Sequence, residues 1–365
     1  MKHIFSLLSH LHDLLSKSHA VQVSFIFLLS ACSSQPTSTE SADTQRLVVM
    51  AHDSFAINKG VVKAFEDANH AEVVFLQSGD AGAMLNKAIL TKDAPLADVL
   101  FGVDNTFLSR ALEADIFAAY DSPILQEIPD EFKFDSSNRA LPVDYGDVCI
   151  NYDKSYFTKN DLPVPQSLEE LTKPEYKGLL VVENPATSST GLAFLAATIS
   201  HYGDAYPDYW RALKENDVVV VDGWETAYYT NFSGSSGHGP QPMVVSYASS
   251  PAAEVIFAET PLDEAPTASI IGPDTCFRQI EFVGILKSTE QRALAEKFVD
   301  FMLGKQFQED MPLQMFVYPV NPKAALPEEF IKYAQTPSQP AVSSPDEIAS
   351  NRDRWIQTWT DIVLK

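Results

Sequence analysis

Basic residues are in short supply: the 365-residue chain has 26 Lys and Arg against 49 Asp and Glu, a formal net charge of −23. So acidic a surface argues against nucleic acid and against anionic membrane faces as partners. It suits a protein that handles neutral or cationic solutes, although acidity also serves plain solubility. Long apolar runs are missing as well. The one sustained stretch, 21–29, is interrupted by Gln22 and Ser24 and falls short of the roughly 20 apolar residues that a membrane-spanning helix needs. Catalytic signatures are absent too. There is no Gly-x-Ser-x-Gly elbow, because Gly234-Ser235-Ser236-Gly237 has the wrong spacing. Neither His-Glu-x-x-His, a Walker-type phosphate loop nor a dinucleotide glycine fingerprint occurs. These absences predict neither a cofactor nor a metal site, and no enzyme.

What is present begins at the N-terminus. Lys2 and Lys17 precede the 21–29 run, which has the length of a signal-peptide apolar core. Leu29-Ser30-Ala31-Cys32 follows and resembles the bacterial lipobox, whose Cys becomes the lipidated first residue of the mature protein. An ordinary cleaved signal with a chance Cys is the alternative. Residues 33–45 are rich in Ser and Thr with no aromatic, as a flexible tether should be. Removal of 1–31 takes away Lys2, Lys17 and Asp13 and leaves a net charge near −24. It also removes His3, His10, His12 and His19, and the four that stay (His52, His70, His201, His238) are scattered. Of the 3 cysteines, Cys149 and Cys276 then remain. In an exported chain an even pair reads as a disulfide, with two buried free thiols as the alternative.

The body is 45% hydrophobic, ample for a core, and at roughly 150 residues per domain it suggests two lobes. Strands are expected over 46–51, 72–76 and 98–102, alternating with helices over 61–66, 81–91 and 106–113. That alternation predicts an α/β fold with a parallel sheet and ligand contacts at the strands' carboxyl ends. A second α/β run, from a strand over 179–182 to a helix that starts at Pro251, lies between two long strands over 141–151 and 276–286. An insertion between crossing strands predicts two hinged lobes. The division is 1–31 signal peptide, 32–45 anchor and tether, 46–147 first lobe, 148–275 second lobe and 276–365 the return to the first. The helix over 345–363 belongs to neither on sequence grounds. The segment 233–241 reads as a mobile surface loop.

Several stretches, in order, resemble the thiamine-binding proteins of bacterial ABC importers. They are His52-Asp53-Ser54-Phe55, Asp98-Val99-Leu100-Phe101-Gly102-Val103-Asp104-Asn105, Pro142-Val143-Asp144-Tyr145-Gly146 and Asn184-Pro185-Ala186-Thr187-Ser188-Ser189-Thr190-Gly191. Gly223-Trp224-Glu225-Thr226, Ser246-Tyr247-Ala248-Ser249-Ser250-Pro251 and Tyr318-Pro319-Val320 complete the series. The resemblance implies a periplasmic-binding-protein fold that closes on thiamine, a thiamine phosphate or a precursor and delivers it, as a monomer, to a membrane permease. It implies a cleft lined by His52, Asp53, Asp104, Asn105, Thr187, Ser188, Ser189, Trp224, Tyr247, Ala248, Ser249, Ser250 and Phe316. His52 stands where family members carry a stacking Tyr, Ala253 replaces an aromatic, and Phe316 replaces a Trp, so the aromatic clamp is rebuilt here.

The residues carry their own chemistry. Thiamine is a permanent cation with an aromatic aminopyrimidine, which calls for aromatic faces and a carboxylate nearby. Trp224 can offer its face or pack in the core. Asp104 can offset a cation or cap the following helix. Thr187-Ser188-Ser189 can hold an anion at a helix start or simply cap it. Two other functions compete. Ferric iron on the same scaffold would use Tyr228 and Tyr229, which point about 100° apart on a helix. A thiaminase-like enzyme would use Cys149 as nucleophile, which a disulfide would disarm.

Overall fold

The computed structural model describes residues 44–234, 238–341 and 343–365. The leader, the Cys32 lipobox and the tether through 43 lie outside the described residues, as do positions 235–237 of the expected surface loop.

The strands are β1 (Gln45–Ala51), β2 (Ala71–Gln77), β3 (Val99–Asp104), β4 (Phe117–Ala118), β5 (Leu141–Asp153), β6 (Leu180–Glu183), β7 (Val219–Val221), β8 (Met243–Tyr247), β9 (Thr267–Ile270), β10 (Phe277–Leu286) and β11 (Tyr318–Pro319). They form one sheet in the order β2-β1-β3-β10-β5-β8-β6-β7, with β4 on β10 and with β9 and β11 on β5. The flanking triplets are parallel, as strand–helix alternation dictates. The long strands β5 and β10 run antiparallel to each other and to their outer neighbours β8 and β3. This is where the expectation of a parallel sheet needs correction: the chain crosses to its second half along β5 and returns along β10. Every residue of β3 is buried, as befits a strand covered on both faces.

Most of the expected helices are present, and some of their starts have side-chain caps. Asn58 accepts the Gly60 N–H at 2.8 Å before the helix Lys59–Asn69. Asp80 accepts the Ala81 N–H at 2.6 Å before the helix Ala81–Leu90. One apolar cluster joins Leu47 and Val49 of β1 to Phe298, Met302 and Phe307 on the helices Arg292–Leu303 and Lys305–Gln314. A larger one runs across both halves of the sheet and includes Leu100, Val148, Phe194 and Trp210.

The C-terminal helix, Pro345–Val363, touches both halves. Its Trp359 ring meets Trp210 edge-on at 5.6 Å, and Lys214 Nζ donates to the Ile362 carbonyl at 2.6 Å. Earlier on the same helix the Arg352 guanidinium lies 4.6 Å from the centre of the Phe107 ring, beside β3.

Cys149 on β5 is bonded to Cys276, one residue before β10, with Cα atoms 4.4 Å apart. The bridge spans 127 residues, and closing a loop that long lowers the entropy of the unfolded chain by the equivalent of roughly 5 kcal/mol. Neither cysteine should react with a thiol reagent in the folded protein. The paired Cys149→Ala and Cys276→Ala substitutions should lower the unfolding free energy by a few kcal/mol in urea titrations. A thiol that reacts while the protein is folded would rule the bridge out.

Candidate functional site

A cavity of about 290 Å³ opens where strands of both halves end. Beyond β1 it is lined by His52 and Asp53, beyond β2 by Asp80, and at the start of the helix Ser189–Tyr202 by Ser189 and Thr190. Beyond β7 come Trp224, Glu225 and Tyr229, at the end of β8 Tyr247 and beyond it Ser250, from the middle of β10 Glu281, and before β11 Phe316. Lining by strand carboxyl ends is the placement expected for an open α/β sheet.

Asp80 ties the two sides together. Its Oδ1 accepts the Ala81 and Ser189 N–H groups at 2.6 and 3.3 Å, and its Oδ2 accepts the Trp224 N–H at 3.0 Å. Burial raises its pKa, and these hydrogen bonds pull the other way. The helix start that the sequence offers to an anion therefore already faces a carboxylate.

The aromatic wall is held from behind. Trp224 stacks on Tyr228 with centroids 4.9 Å apart and planes 18° from parallel, and its Nε1 donates to Ser246 Oγ at 2.9 Å. Tyr228 donates its hydroxyl to Glu254 at 2.7 Å. Tyr229, 44% exposed, meets Trp224 edge-on at 5.5 Å. Both tyrosines sit on a widened helical turn, Thr226–Asn231, in which the Phe232 N–H reaches back five residues to the Ala227 carbonyl. Tyr247 packs over Gly146, where an added Cβ would fall 2.7 Å from Tyr247 Cδ1.

His52 is a buried, neutral ring: burial pushes its pKa down to about 4. Its Nδ1 lies 2.8 Å from Ser54 Oγ and its Nε2 3.5 Å from a Glu281 oxygen. The ring rests on Gly102, whose φ is +97°, and a Cβ there would come within 2.3 Å of His52 Cδ2. Only glycine meets both conditions.

Beneath the cavity three carboxyls share one register line across adjacent strands. Glu281 on β10 is paired with Asp104 on β3 and with Asp144 on β5. The β10 ladder is irregular immediately after Glu281 on the β5 side and after Phe282 on the β3 side; such irregularities re-aim side chains. Asp104 accepts the Thr106 hydroxyl at 2.8 Å and the Phe107 N–H at 3.2 Å, yet burial lifts its pKa to about 7. Asp144 receives no hydrogen bond from a backbone N–H, hydroxyl or amide; across the strand pair it stands opposite Glu281. Burial and mutual repulsion raise the pKa of Glu281, and burial raises that of Asp144.

Of the residues singled out in the sequence, His52, Asp53, Ser189, Trp224, Tyr247, Ser250 and Phe316 line the cavity. The structure puts the others elsewhere. Asp104 lies outside the lining, on β3, and accepts from Thr106 and Phe107 ahead of the following helix. Asn105 braces β10 through the Arg278 carbonyl and the Ile280 N–H at 3.1 and 3.0 Å. Thr187 donates to the Asp222 carbonyl at 2.7 Å, and Ser188 bonds Thr190 Oγ1 at 3.0 Å. Ala248 packs beside the disulfide, and the Ser249 hydroxyl donates to the Phe316 carbonyl. Asp80, which the strand alternation places only at the ligand edge of the sheet, and Tyr229, considered only for iron, also enter the lining, together with Glu225 and Glu281, for which no site role is expected from the sequence. For Glu281 the signal was there: an acid inside the apolar run Ile280-Glu281-Phe282-Val283.

A mixed sheet hinged on two long antiparallel strands, with one cavity lined from both sides, defines a solute-binding fold. Residues 94–338 match the family described as bacterial extracellular solute-binding protein, and the chain belongs to that family. The thiamine-binding periplasmic protein of Salmonella typhimurium is 33% identical over 326 residues, covering 87% of this chain and 94% of its own. That of Escherichia coli is 32% identical over 327 residues, covering 87% and 94%. Among solved structures, a periplasmic thiamin binding protein superposes with a TM-score of 0.77 at 27% identity, covering 88% of this chain and 98% of that one.

The buried acids set the pH response of the empty protein. Carboxyls whose folded pKa exceeds the unfolded value of about 4 make the folded state bind more protons, so stability falls as pH rises through the window between the two values. The melting temperature of the ligand-free protein should therefore drop from pH 5 to pH 7.5, and Asp104→Asn should flatten that slope. A melting temperature that climbs over the same range would refute the assignment.

Proposed function

We propose that this chain captures thiamine, one of its phosphates or a pyrimidine precursor outside the cytoplasm and presents it to the permease of an ABC importer. The observation that carries the reading is the pairing of aromatic rings with carboxyls in one small cavity. Trp224, Tyr229 and Tyr247 supply π-faces and edges, while Asp80, Glu225 and Glu281 supply negative charge. A cation against a Trp face gains about 0.5–2 kcal/mol, more when water is excluded. A volume near 290 Å³ sits at the small end of organic-ligand sites, which suits a two-ring solute. The similarity to proteins described as thiamine-binding supports the same reading.

In this account β5 and β10 form the hinge, and the halves 46–147 with 276–365 and 148–275 close over the solute. Asp80, on one side, clasps Ser189 and Trp224 on the other. Cys32 serves as a lipid anchor that holds a monomeric body near the membrane. The competing readings fare worse on particular residues. Cys149, the nucleophile of the enzyme alternative, is tied up with Cys276. Tyr228, half of the iron alternative's tyrosine pair, sits under Trp224 with its hydroxyl on Glu254.

Isothermal calorimetry with thiamine, thiamine phosphate, the aminopyrimidine alone and ferric iron tests the proposal. Thiamine or its phosphate should bind tightly, iron should not, and Trp224→Ala should weaken binding at least tenfold, about 1.4 kcal/mol. Intrinsic fluorescence should change on binding in the wild type and far less in Trp224→Ala. Silence from all three thiamine-type ligands would sink the reading.

A further inference from the structure

We propose that Glu281, backed by Asp144, is the specificity-determining group of the cavity: it selects a ligand with a permanent positive charge and surrenders a proton as that ligand binds. The inference rests on the thiamine-type reading above and adds how the charge of the ligand is sensed.

The argument begins with position. Glu281 lines the cavity, yet it is only 5% exposed. Its cross-strand partner Asp144 is fully buried and receives no bond from any neutral donor. Two carboxylates placed side by side in a dry site cannot both stay ionised, so the empty pair shares a proton. The surroundings offer no relief. From beyond β1 the nearest group is His52, neutral and desolvated, whose Nε2 lies 3.5 Å from Glu281 and whose Nδ1 is engaged with Ser54. From β3 the neighbour is Asp104, from the start of the helix Ala81–Leu90 it is Asp80, and from β8 it is the phenol of Tyr247. All of these are acidic or neutral. Arg352, a nearby cation, acts on Asp104 rather than on the pair. Among the described residues no Lys or Arg lines the cavity.

A permanent cation seated against Glu281 supplies the missing positive charge. The Glu281 O–H bond then breaks, the proton leaves for the buffer, and the carboxylate faces the ligand; no other bond changes. A neutral ligand of similar shape provides no such compensation, so the pair keeps its proton and nothing is gained. His52 on its glycine shelf stands against one side of Glu281 and cannot itself take the proton, since burial disfavours the charged ring. Affinity for the cation should rise with pH through the range in which the empty pair still holds its proton, then level off.

The test is calorimetry on the purified protein near pH 7, repeated in buffers of different ionisation enthalpy, with thiamine and with the uncharged aminopyrimidine as probes. Thiamine should release a measurable fraction of one proton per ligand, and the aminopyrimidine none. Glu281→Gln should abolish the release and weaken thiamine at least tenfold while leaving the aminopyrimidine within about twofold. Asp144→Asn, a milder change that spares the cavity wall, should reduce the release but retain thiamine binding, and it serves if Glu281→Gln fails to fold. Thiamine binding with no buffer dependence, or an undiminished release in both variants, overturns the inference. If no thiamine-type probe binds at all, the ligand reading fails instead. Carbon-13 NMR titration of the empty protein then still decides: one carboxyl of the pair protonated at pH 6 sustains the shared proton, and both ionised refutes it.

Discussion

The antiparallel pairing of β5 with β10 is the constraint on which the rest of the molecule depends. It is the path by which the chain leaves one half and comes back, so the parallel triplets on either side are joined only through it within the sheet. The same ladder sets Glu281 opposite Asp144 and carries the irregularity that turns β10 beneath the cavity. The disulfide sits at one end of this pair, fastening Cys149 to the residue that precedes β10. Covalent and hydrogen-bonded connections thus coincide at the hinge, where a binding protein must bend without losing register.

Around that hinge the structure concentrates a cost. Asp104, Asp144, Glu183 and Glu281 are all buried, and burial raises the pKa of each. A buried, unpaired acid destabilises the fold it sits in. Such groups cluster at functional sites, and here Glu281 lines the cavity while Asp104 and Asp144 flank it across the sheet. On the proposed reading, electrostatic frustration in the empty state and attraction for a cationic solute have the same origin.

Much of the fold was legible in the sequence because its signals are local. Apolar runs marked β1, β2, β3 and β8 to within a residue or two, and Asp80 and Ser344 stand as caps before helices that begin with Ala81 and Pro345. The short strands β4, β9 and β11 were not legible, since they exist only by pairing with β5 or β10. The candidate site was half legible for a related reason. His52 was placed by its position at a strand end of the alternation, whereas Tyr247 was reached only through the family resemblance. Thr187 and Ser249 looked alike in sequence to Ser189 and Ser250, but the first two spend their hydroxyls on carbonyls while the second two face the cavity. The carboxyl row needed the cross-strand register, which depends on ladder irregularities that no local pattern announces. The C-terminal helix showed its apolar face, but not that it would reach both Trp210 and Phe107.

The bridge between Cys149 and Cys276 has a topological consequence. The intervening segment, including the loop around 233–241, is a closed covalent ring attached to the remainder of the body at a single knot. A protease that cuts once inside the ring opens it without releasing either piece. The severed ends stay joined through the sulfurs and through the β5–β10 ladder. Outside the cytoplasm, where proteases are met without repair, a nicked copy would still hold its two halves around the solute until a reductant reached a bond that both flanking strands bury.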